Sequence, residues 1–241
     1  MNREQARENI IFALDVNDLS DVEKWSNLIA TRVGMFKIGK QLFTSSGPAA
    51  VRTIQKNGGE VFLDLKYHDI PNTVAMATLE AARMGVKLTN LHALGGYEMM
   101  ATTMDALEKE FKGAVRTKVL AVTILTSSTE ETLRGIGIEH SVKDMVVRLA
   151  KLAKSAGVDG VVASPQEVRL IREACGPDFL IVTPGVRPVF ASADDQKRIM
   201  TPADAVSQGA DYLVIGRPIS AAADPAEAAD MIVAEIMAVN G

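Results

Sequence analysis

Charged side chains recur along three successive predicted strands, a placement that suits electrostatic or acid–base chemistry. Asp15 ends the first strand, Lys37 lies within the second, and Asp64 and Lys66 alternate along the third. Because side chains on a strand alternate with a period of two, Asp64 and Lys66 should share one face. Desolvating each charge is costly unless opposite charges adjoin, so we expect an array of alternating sign that Asp69 can extend.

Each of these charges alone is also compatible with an ordinary exposed residue at a strand end. In an α/β barrel, however, the C-terminal strand ends carry the active site, and polar residues there indicate chemistry rather than packing. The occurrence of such residues on three strands therefore favours a functional array.

A second, cationic group lies near the end of the chain. Gly185 and Arg187 follow the seventh predicted strand, and Gly216 and Arg217 follow the eighth. Loops at these places in a barrel frequently bind phosphate through glycine amides. Arginine adds forked donors that match phosphate oxygens. The two turns together predict a phosphate-binding corner.

Eight short apolar runs alternate with amphipathic segments, and these are the elements that must position the charges. The predicted strands are Ile10–Val16, Met35–Ile38, Glu60–Leu65, Lys87–His92, Lys118–Ile124, Gly160–Ala163, Phe179–Thr183 and Tyr212–Ile215. The amphipathic segments include Leu42–Lys56, Thr73–Arg83, Tyr97–Phe111, Val142–Ala156 and Pro165–Ala174. Strict alternation implies parallel strands.

The fold class predicted from this alternation is α/β, a (β/α)8 TIM barrel forming a single domain over residues 1–241. The alternative is an open doubly wound sheet, but Asp15 to Asp18 stand where its glycine-rich turn would follow the first strand. Pro184 to Met200 form the longest stretch of poor periodicity, which is typical of a functional lid.

Composition excludes several classes of protein. With 47% hydrophobic but only 5% aromatic residues, the core should be aliphatic, as in parallel strands covered by helices. A net charge of −4 argues against nucleic-acid binding, and no run is long enough to span a membrane. The one cysteine, Cys175, is expected to be a buried apolar residue. A cytoplasmic protein is the expectation.

Other reactive residue types lack a supporting pattern. We interpret His68 and His92 as hydrogen-bonded structural residues, and His140 as a surface residue. Ser127 and Ser128 lack a His–Asp partner order for nucleophilic catalysis. No spacing of His, Asp or Glu indicates a transition-metal site, so no metal ligand is predicted.

The sequence closely resembles the orotidine 5'-monophosphate decarboxylase family, bacterial type. Residues 62–73 (FLDLKYHDIPNT) are similar to its D-x-K-x-x-D-I-P-x-T signature. Further similar blocks, in family order, are Phe36–Gly39, Leu125–Ser127, Thr183–Arg187, Asp194–Arg198 and Ile215–Pro218. The resemblance covers nearly the whole chain.

This resemblance implies a carboxy-lyase that converts orotidine 5'-monophosphate to UMP, the last step of de novo UMP biosynthesis, without a cofactor. The implied catalytic residues are Lys37, Asp64, Lys66 and Asp69. The implied substrate-binding residues are Asp15, Lys37, Asp64, Thr73, Thr126, Ser127, Arg187, Gln196, Gly216 and Arg217. It also implies a homodimer in which Asp69 and Thr73 reach the partner's site.

Within this resemblance, Lys66 is the expected proton donor to C6 of the pyrimidine, where loss of CO2 leaves a carbanion. A fixed ammonium stabilises that charge, which is electrostatic preorganisation. Asp64 is expected beside the substrate carboxylate, either destabilising it or holding the lysines in place. Gln196 is expected on a lid that closes over the phosphate.

Two alternatives remain open from the residues. Hexulose-phosphate synthases and keto-gulonate-phosphate decarboxylases resemble the D-x-K-x-x-D stretch but use Mg2+, and they carry a glutamate ligand where this chain has Lys37. A catalytically inactive phosphate-binding barrel would need a broken charged array, and here every charged position is filled.

Overall fold

Eight parallel strands form a closed barrel in sequence order, as predicted from the alternation of strands and helices. The structure is a computed structural model that describes residues 1–191 and 200–240. The strands are β1 (Ile10–Leu14), β2 (Met35–Gly39), β3 (Val61–Tyr67), β4 (Leu88–His92), β5 (Lys118–Val122), β6 (Gly160–Val162), β7 (Leu180–Pro184) and β8 (Tyr212–Ile215). The fold class is therefore a (β/α)8 TIM barrel.

Helices occupy the connections between the strands. They are α1 (Arg3–Glu8), α2 (Leu19–Ile29), α3 (Lys40–Ser46), α4 (Pro48–Lys56), α5 (Pro71–Arg83), α6 (Gly96–Phe111), α7 (Glu130–Gly135), α8 (Val142–Ser155), α9 (Val168–Cys175), α10 (Pro202–Ser207), α11 (Arg217–Ser220) and α12 (Pro225–Met237). Short 3-10 turns cover Ala93–Gly95, Pro165–Glu167 and Ala238–Asn240. None of the helices in the described ranges is both long and apolar enough to cross a membrane.

The amphipathic segment Leu42–Lys56, predicted as one stretch, is two helices. Gly47 separates them with a φ of 54° and a ψ of −147°, a conformation that side-chain-bearing residues rarely adopt. Pro48 then starts α4 at its first position, where the missing N–H removes no helical hydrogen bond. The Gly47–Pro48 pair is a sequence signal for such a break, and no apolar residue lies between Phe43 and Ala49.

The chain divides into two compact units, residues 1–65 with 183–241 and residues 66–182. The prediction of a single domain stays a prediction. In the first unit, β1 pairs with both β2 and β8, and β2 pairs with β3. Its core contains Phe12, whose ring lies 5.1 Å from that of Trp25 and 6.0 Å from that of Phe36.

In the second unit, β5 pairs with β4 and β6, and β6 pairs with β7. Aliphatic residues such as Leu91, Leu120 and Ile181 are fully buried, as the composition predicts. Cys175 is also buried, at the end of α9, and burial raises the pKa of its thiol. This confirms the interpretation of Cys175 as a small apolar residue of the core.

Candidate active site

Lys37 lies between two carboxylates in the first unit. Its Nζ is 3.3 Å from Oδ1 of Asp15, which directly follows β1, and 3.7 Å from Oδ2 of Asp64 on β3. The Lys37 and Asp64 side chains are only 13% and 12% exposed, whereas that of Asp15 is 70% exposed. The predicted alternation of sign is therefore present among these three residues.

The register of the strands explains why these groups meet. Gly39 on β2 stands opposite Asp64 on β3. A Cβ atom at Gly39 would lie 3.3 Å from the Lys37 ammonium, tighter than most contacts of real Cβ atoms. The absence of a side chain at Gly39 leaves room for the ammonium beside the carboxylate.

Lys66 departs from the extended conformation of its strand. Its φ is 52°, in the left-handed region, although it belongs to β3. A residue held in such a region costs about 1–3 kcal/mol and persists only where its surroundings determine it. Alternation along an ideal strand therefore does not fix the direction of the Lys66 side chain, and the expectation that Lys66 shares a face with Asp64 stays a prediction.

One contact to the Lys66 backbone comes from a buried polar residue that sequence reasoning missed. The Lys66 amide donates to Oδ1 of Asn90 on β4 over 2.8 Å, and Asn90 is fully buried. The available signal was an amide beside Thr89, in the middle of the predicted strand Lys87–His92. An uncharged polar residue inside a buried strand has no sequence pattern that assigns it to a site.

Asp69 and Thr73 lie on the exposed segment that follows β3. Asp69 accepts a hydrogen bond from the amide of Ile70 over 2.7 Å, and Thr73 is the third residue of α5. Large apolar residues are exposed beside them, Ile70 at 66% and Met76 at 46%. The segment thus combines an exposed carboxylate and hydroxyl with uncovered apolar surface.

Thr126 and Ser127 form an exposed turn after β5. The turn is closed by a hydrogen bond from the Ser128 amide to the Leu125 carbonyl over 2.8 Å. Both side chains are therefore accessible to a ligand at the C-terminal end of β5.

The cationic turns of the first unit line a cavity of about 340 Å3. Its lining residues are Arg187, Phe190, Ala191, Arg217, Pro218, Ala221 and Ala222. Neither arginine forms an ion pair with a carboxylate among the described residues. Two guanidiniums therefore line one cavity, and the expectation that this corner binds phosphate stays a prediction.

The glycines of these turns differ in their backbone. Gly185 has a φ of 84°, so a side chain there would be strained. Gly216 precedes α11, and a Cβ atom at this position would come within 3.3 Å of the Ala13 Cβ. A glycine at 216 thus lets the turn approach β1 closely.

A backbone hydrogen bond joins the two ends of the long segment that follows Pro184. The Arg187 amide donates to the Met200 carbonyl over 3.0 Å, which brings the two ends together. Gln196 lies outside the described residues, so its predicted phosphate contact stays a prediction.

Glu235 on α12 is a second residue that sequence reasoning missed. Its Oε2 accepts a hydrogen bond from the Val189 amide over 3.1 Å, at the start of the segment that follows Arg187. Burial raises the pKa of Glu235, although donation from the Val189 and Ala203 amides partly opposes this. Nothing in the periodicity of α12 distinguishes this glutamate from an exposed one.

The three histidines lie in two places. The His68 and His92 rings lie 5.5 Å apart, and His140 lies 3.4 Å from Arg148 on an exposed surface. Within residues 1–191 and 200–240, no group of three or more His, Cys, Asp or Glu side chains is placed to hold a metal.

A second cavity, of about 400 Å3, lies at the opposite strand ends of the second unit. It is lined by residues such as Lys118, Asp159 and Leu180, which stand at the N-terminal ends of β5, β6 and β7. None of the candidate residues lines it. Since barrel active sites lie at the C-terminal strand ends, this larger cavity is not the candidate site.

Comparison with known proteins identifies the family. Residues 8–232 match the model of the orotidine 5'-phosphate decarboxylase / HUMPS family. The chain belongs to this family. The match to the orotidine 5'-phosphate decarboxylase / HUMPS family spans every candidate residue from Asp15 to Arg217, which agrees with the resemblance seen in the motifs.

Individual relatives are similar over their full length. A protein named orotidine 5'-phosphate decarboxylase from Geotalea daltonii is 76% identical over 238 residues, covering 99% of this chain and 100% of the relative. One of the same name from Geobacter sulfurreducens is 73% identical with the same coverage. The crystal structure of orotidine 5'-phosphate decarboxylase from Lactobacillus acidophilus is 38% identical with a TM-score of 0.83, covering 94% of this chain and 98% of that one.

We predict that ionisation of Glu235 lowers the stability of the fold as the pH rises. Because its folded pKa is raised, the stabilisation from the neutral carboxyl is complete below the ordinary value of 4.5 and is lost as the pH passes the folded value. Glu235→Gln keeps an acceptor for Val189 but cannot ionise. Its melting temperature relative to the wild type should therefore rise between about pH 4 and about pH 8.

The control is Glu227→Gln, which changes an exposed glutamate on the same helix. A Glu235→Gln difference that stays constant across this pH range, or falls, would contradict the raised pKa.

Proposed function

We propose that this protein is an orotidine 5'-phosphate decarboxylase, a carboxy-lyase that converts orotidine 5'-monophosphate to UMP in pyrimidine biosynthesis without a cofactor. The full-length relatives with this name, 72% or more identical in several cases, support the assignment. The family also includes the HUMPS proteins, so membership alone does not identify the reaction of this chain. The residues of the site must distinguish orotidine 5'-phosphate decarboxylases from HUMPS proteins.

The observation that carries the proposal is Lys37 held between Asp15 and Asp64. A magnesium-dependent relative needs a carboxylate ligand at this position, and an ammonium repels a divalent cation instead. The ammonium, with a carboxylate on either side, suits a reaction in which negative charge is redistributed within the substrate. The position of Lys37 therefore favours decarboxylation over metal-assisted enediolate chemistry.

The proposed reaction breaks one bond and makes one. The bond from C6 to the carboxylate carbon breaks, CO2 leaves, and the electron pair stays on C6. The Lys66 ammonium stabilises this pair and transfers a proton to C6, which yields UMP and a neutral amine that solvent reprotonates. Asp64 lies beside the substrate carboxylate and holds Lys37 by their ion pair.

The phosphate and sugar are bound away from the bond that breaks. We assign the phosphate to Arg187, Arg217 and the Gly216 turn, supported by the two guanidiniums at the 340 Å3 cavity. Gln196 contributes from the segment between Arg187 and Met200. Binding energy at this remote group closes that segment and excludes water from the reacting centre.

The remaining contacts orient the nucleoside. Asp15 and Lys37 bind the ribose hydroxyls, supported by the exposure of Asp15 beside the ammonium. Thr126 and Ser127, in the exposed turn after β5, contact the edge of the pyrimidine. These polar groups fix the position of C6 relative to Lys66, which is the proximity contribution to catalysis.

We further propose a homodimer in which Asp69 and Thr73 act in the site of the neighbouring subunit. The exposed Ile70 and Met76 flank them, and exposed apolar residues beside polar ones are typical of protein interfaces. The substrate is a small nucleotide, and the net charge of −4 gives no basis for nucleic-acid binding. A cytoplasmic location is also proposed, since the sequence contains one cysteine and therefore no internal disulfide.

The direct test is the loss of orotidine 5'-monophosphate absorbance with purified protein in excess EDTA. We expect full activity and stoichiometric UMP, because the proposed chemistry uses lysines and no metal. Activity lost with EDTA and restored by Mg2+ would favour the magnesium-dependent relatives. Tight binding of UMP without any turnover would indicate an inactive phosphate-binding barrel.

The proton-donor role predicts that Lys66→Ala lowers kcat/KM by about 10^4-fold or more while UMP affinity changes by less than about tenfold. The ammonium acts mainly in the transition state, so its loss affects turnover more than product binding. Lys109→Ala, an exposed lysine on α6, is the control and should retain activity. A modest rate loss in Lys66→Ala contradicts the role.

The shared site predicts complementation between Lys66→Ala and Asp69→Ala, each inactive alone. After subunit exchange in an equal mixture, half of the dimers are mixed and each has one intact site of two, so roughly a quarter of wild-type activity should return. The matched control mixes Lys66→Ala with Asp64→Ala, which leaves no complete site. Demonstrated exchange without recovered activity would mean that Asp69 acts within its own subunit.

A further inference from the structure

A catalytic lysine in a left-handed conformation needs something to hold it there. Of the described residues, only Lys66 and Lys112 combine a side chain with a positive φ. Lys112 is the C-cap of α6, an ordinary place for a left-handed residue. Lys66 lies in a strand, where this backbone conformation has no such explanation.

The Asn90 side chain contacts the Lys66 backbone. Its Oδ1 accepts the Lys66 amide proton over 2.8 Å, and the two residues belong to different strands. Asn90 is fully buried between the fully buried Thr89 and Leu91. Burying a side-chain amide is unfavourable unless it is hydrogen-bonded, so the contact with Lys66 offsets part of the cost of burying Asn90.

The hydrogen bond fixes the orientation of the peptide plane from which the N–Cα bond of Lys66 extends. Because the chain must continue from this plane to the end of β3, the orientation of the plane determines the φ at Lys66. A rotation from the left-handed to the extended region would swing the Cα–Cβ bond, and the ammonium lies at the end of a flexible chain that starts with this bond. The hydrogen bond therefore acts on the direction of the lysine side chain without touching it.

We propose that Asn90 is a positioning residue, whose side-chain carbonyl holds the Lys66 backbone in the left-handed conformation from which the ammonium serves C6 of the substrate. The inference rests on the proposed function of Lys66. Asparagine suits the role because it accepts a hydrogen bond without adding a negative charge to the core, where a carboxylate would have to be neutralised.

The test compares Asn90→Leu, which removes the acceptor at similar volume, with Asn90→Asp, which retains an acceptor oxygen. We expect kcat for orotidine 5'-monophosphate to fall about 10^2-fold in Asn90→Leu while KM changes by less than about threefold, since misplacing a catalytic group affects mainly the transition state. In Asn90→Asp, log kcat should recover at least about a third of the decrease seen in Asn90→Leu, because an acceptor oxygen is retained.

A direct readout separates positioning from stability. In a crystal structure of Asn90→Leu, we expect Lys66 with a negative φ, and in Asn90→Asp a positive one. Thr89→Val replaces the adjacent buried polar residue at equal volume and should leave kcat within about twofold, even if the melting temperature falls. If Asn90→Leu does not fold, Asn90→Ala removes the same acceptor with a smaller side chain and is measured in its place.

The outcomes distinguish this inference from the proposed function. A wild-type protein that does not decarboxylate orotidine 5'-monophosphate defeats the proposed function, whatever Asn90 does. An active wild type with kcat unchanged in Asn90→Leu overturns the positioning role alone. Equal losses in Thr89→Val and Asn90→Leu, or an unchanged Lys66 φ in Asn90→Leu, also overturn it.

Discussion

The candidate site in the first unit depends on one electrostatic constraint. A charged side chain that is removed from water needs an opposite charge beside it. The Asp64 carboxylate is 12% exposed and the Lys37 side chain 13%, and they lie 3.7 Å apart. The ion pair offsets part of the cost of removing both charges from water. The parallel register of β2 and β3, with Gly39 opposite Asp64, is what lets this pair form.

The cationic side chains of the first unit differ in whether a carboxylate lies beside them. The Lys37 ammonium is held by carboxylates on both sides, so its position is fixed before any ligand binds. Arg187 and Arg217 meet no carboxylate among the described residues and lie at a cavity. A preorganised cation suits catalysis, whereas guanidiniums that meet no carboxylate within the described ranges suit binding of a phosphate.

Much of the fold could be predicted from the sequence because strands and helices leave local periodic patterns. All eight strands were located, and only their ends differ, as with β1, which stops at Leu14 rather than Val16. The break at Gly47 is not part of the predicted segment, although the Gly-Pro pair at this position is a local signal for it. Asp15, Lys37 and Asp64 were grouped correctly, since strand ends of a parallel barrel converge whatever the loops do.

The sequence by itself determined the fold class, the family and the residue types that can carry charge and bind phosphate. Only the tertiary structure decided that Lys37 lies between two carboxylates, that Lys66 leaves the extended conformation, and that Asn90 contacts its amide. The last contact joins residues 24 positions apart, and that of Glu235 with Val189 joins residues 46 apart. Local propensity and periodicity act over a few residues, so contacts of this kind follow only from how the strands and helices pack.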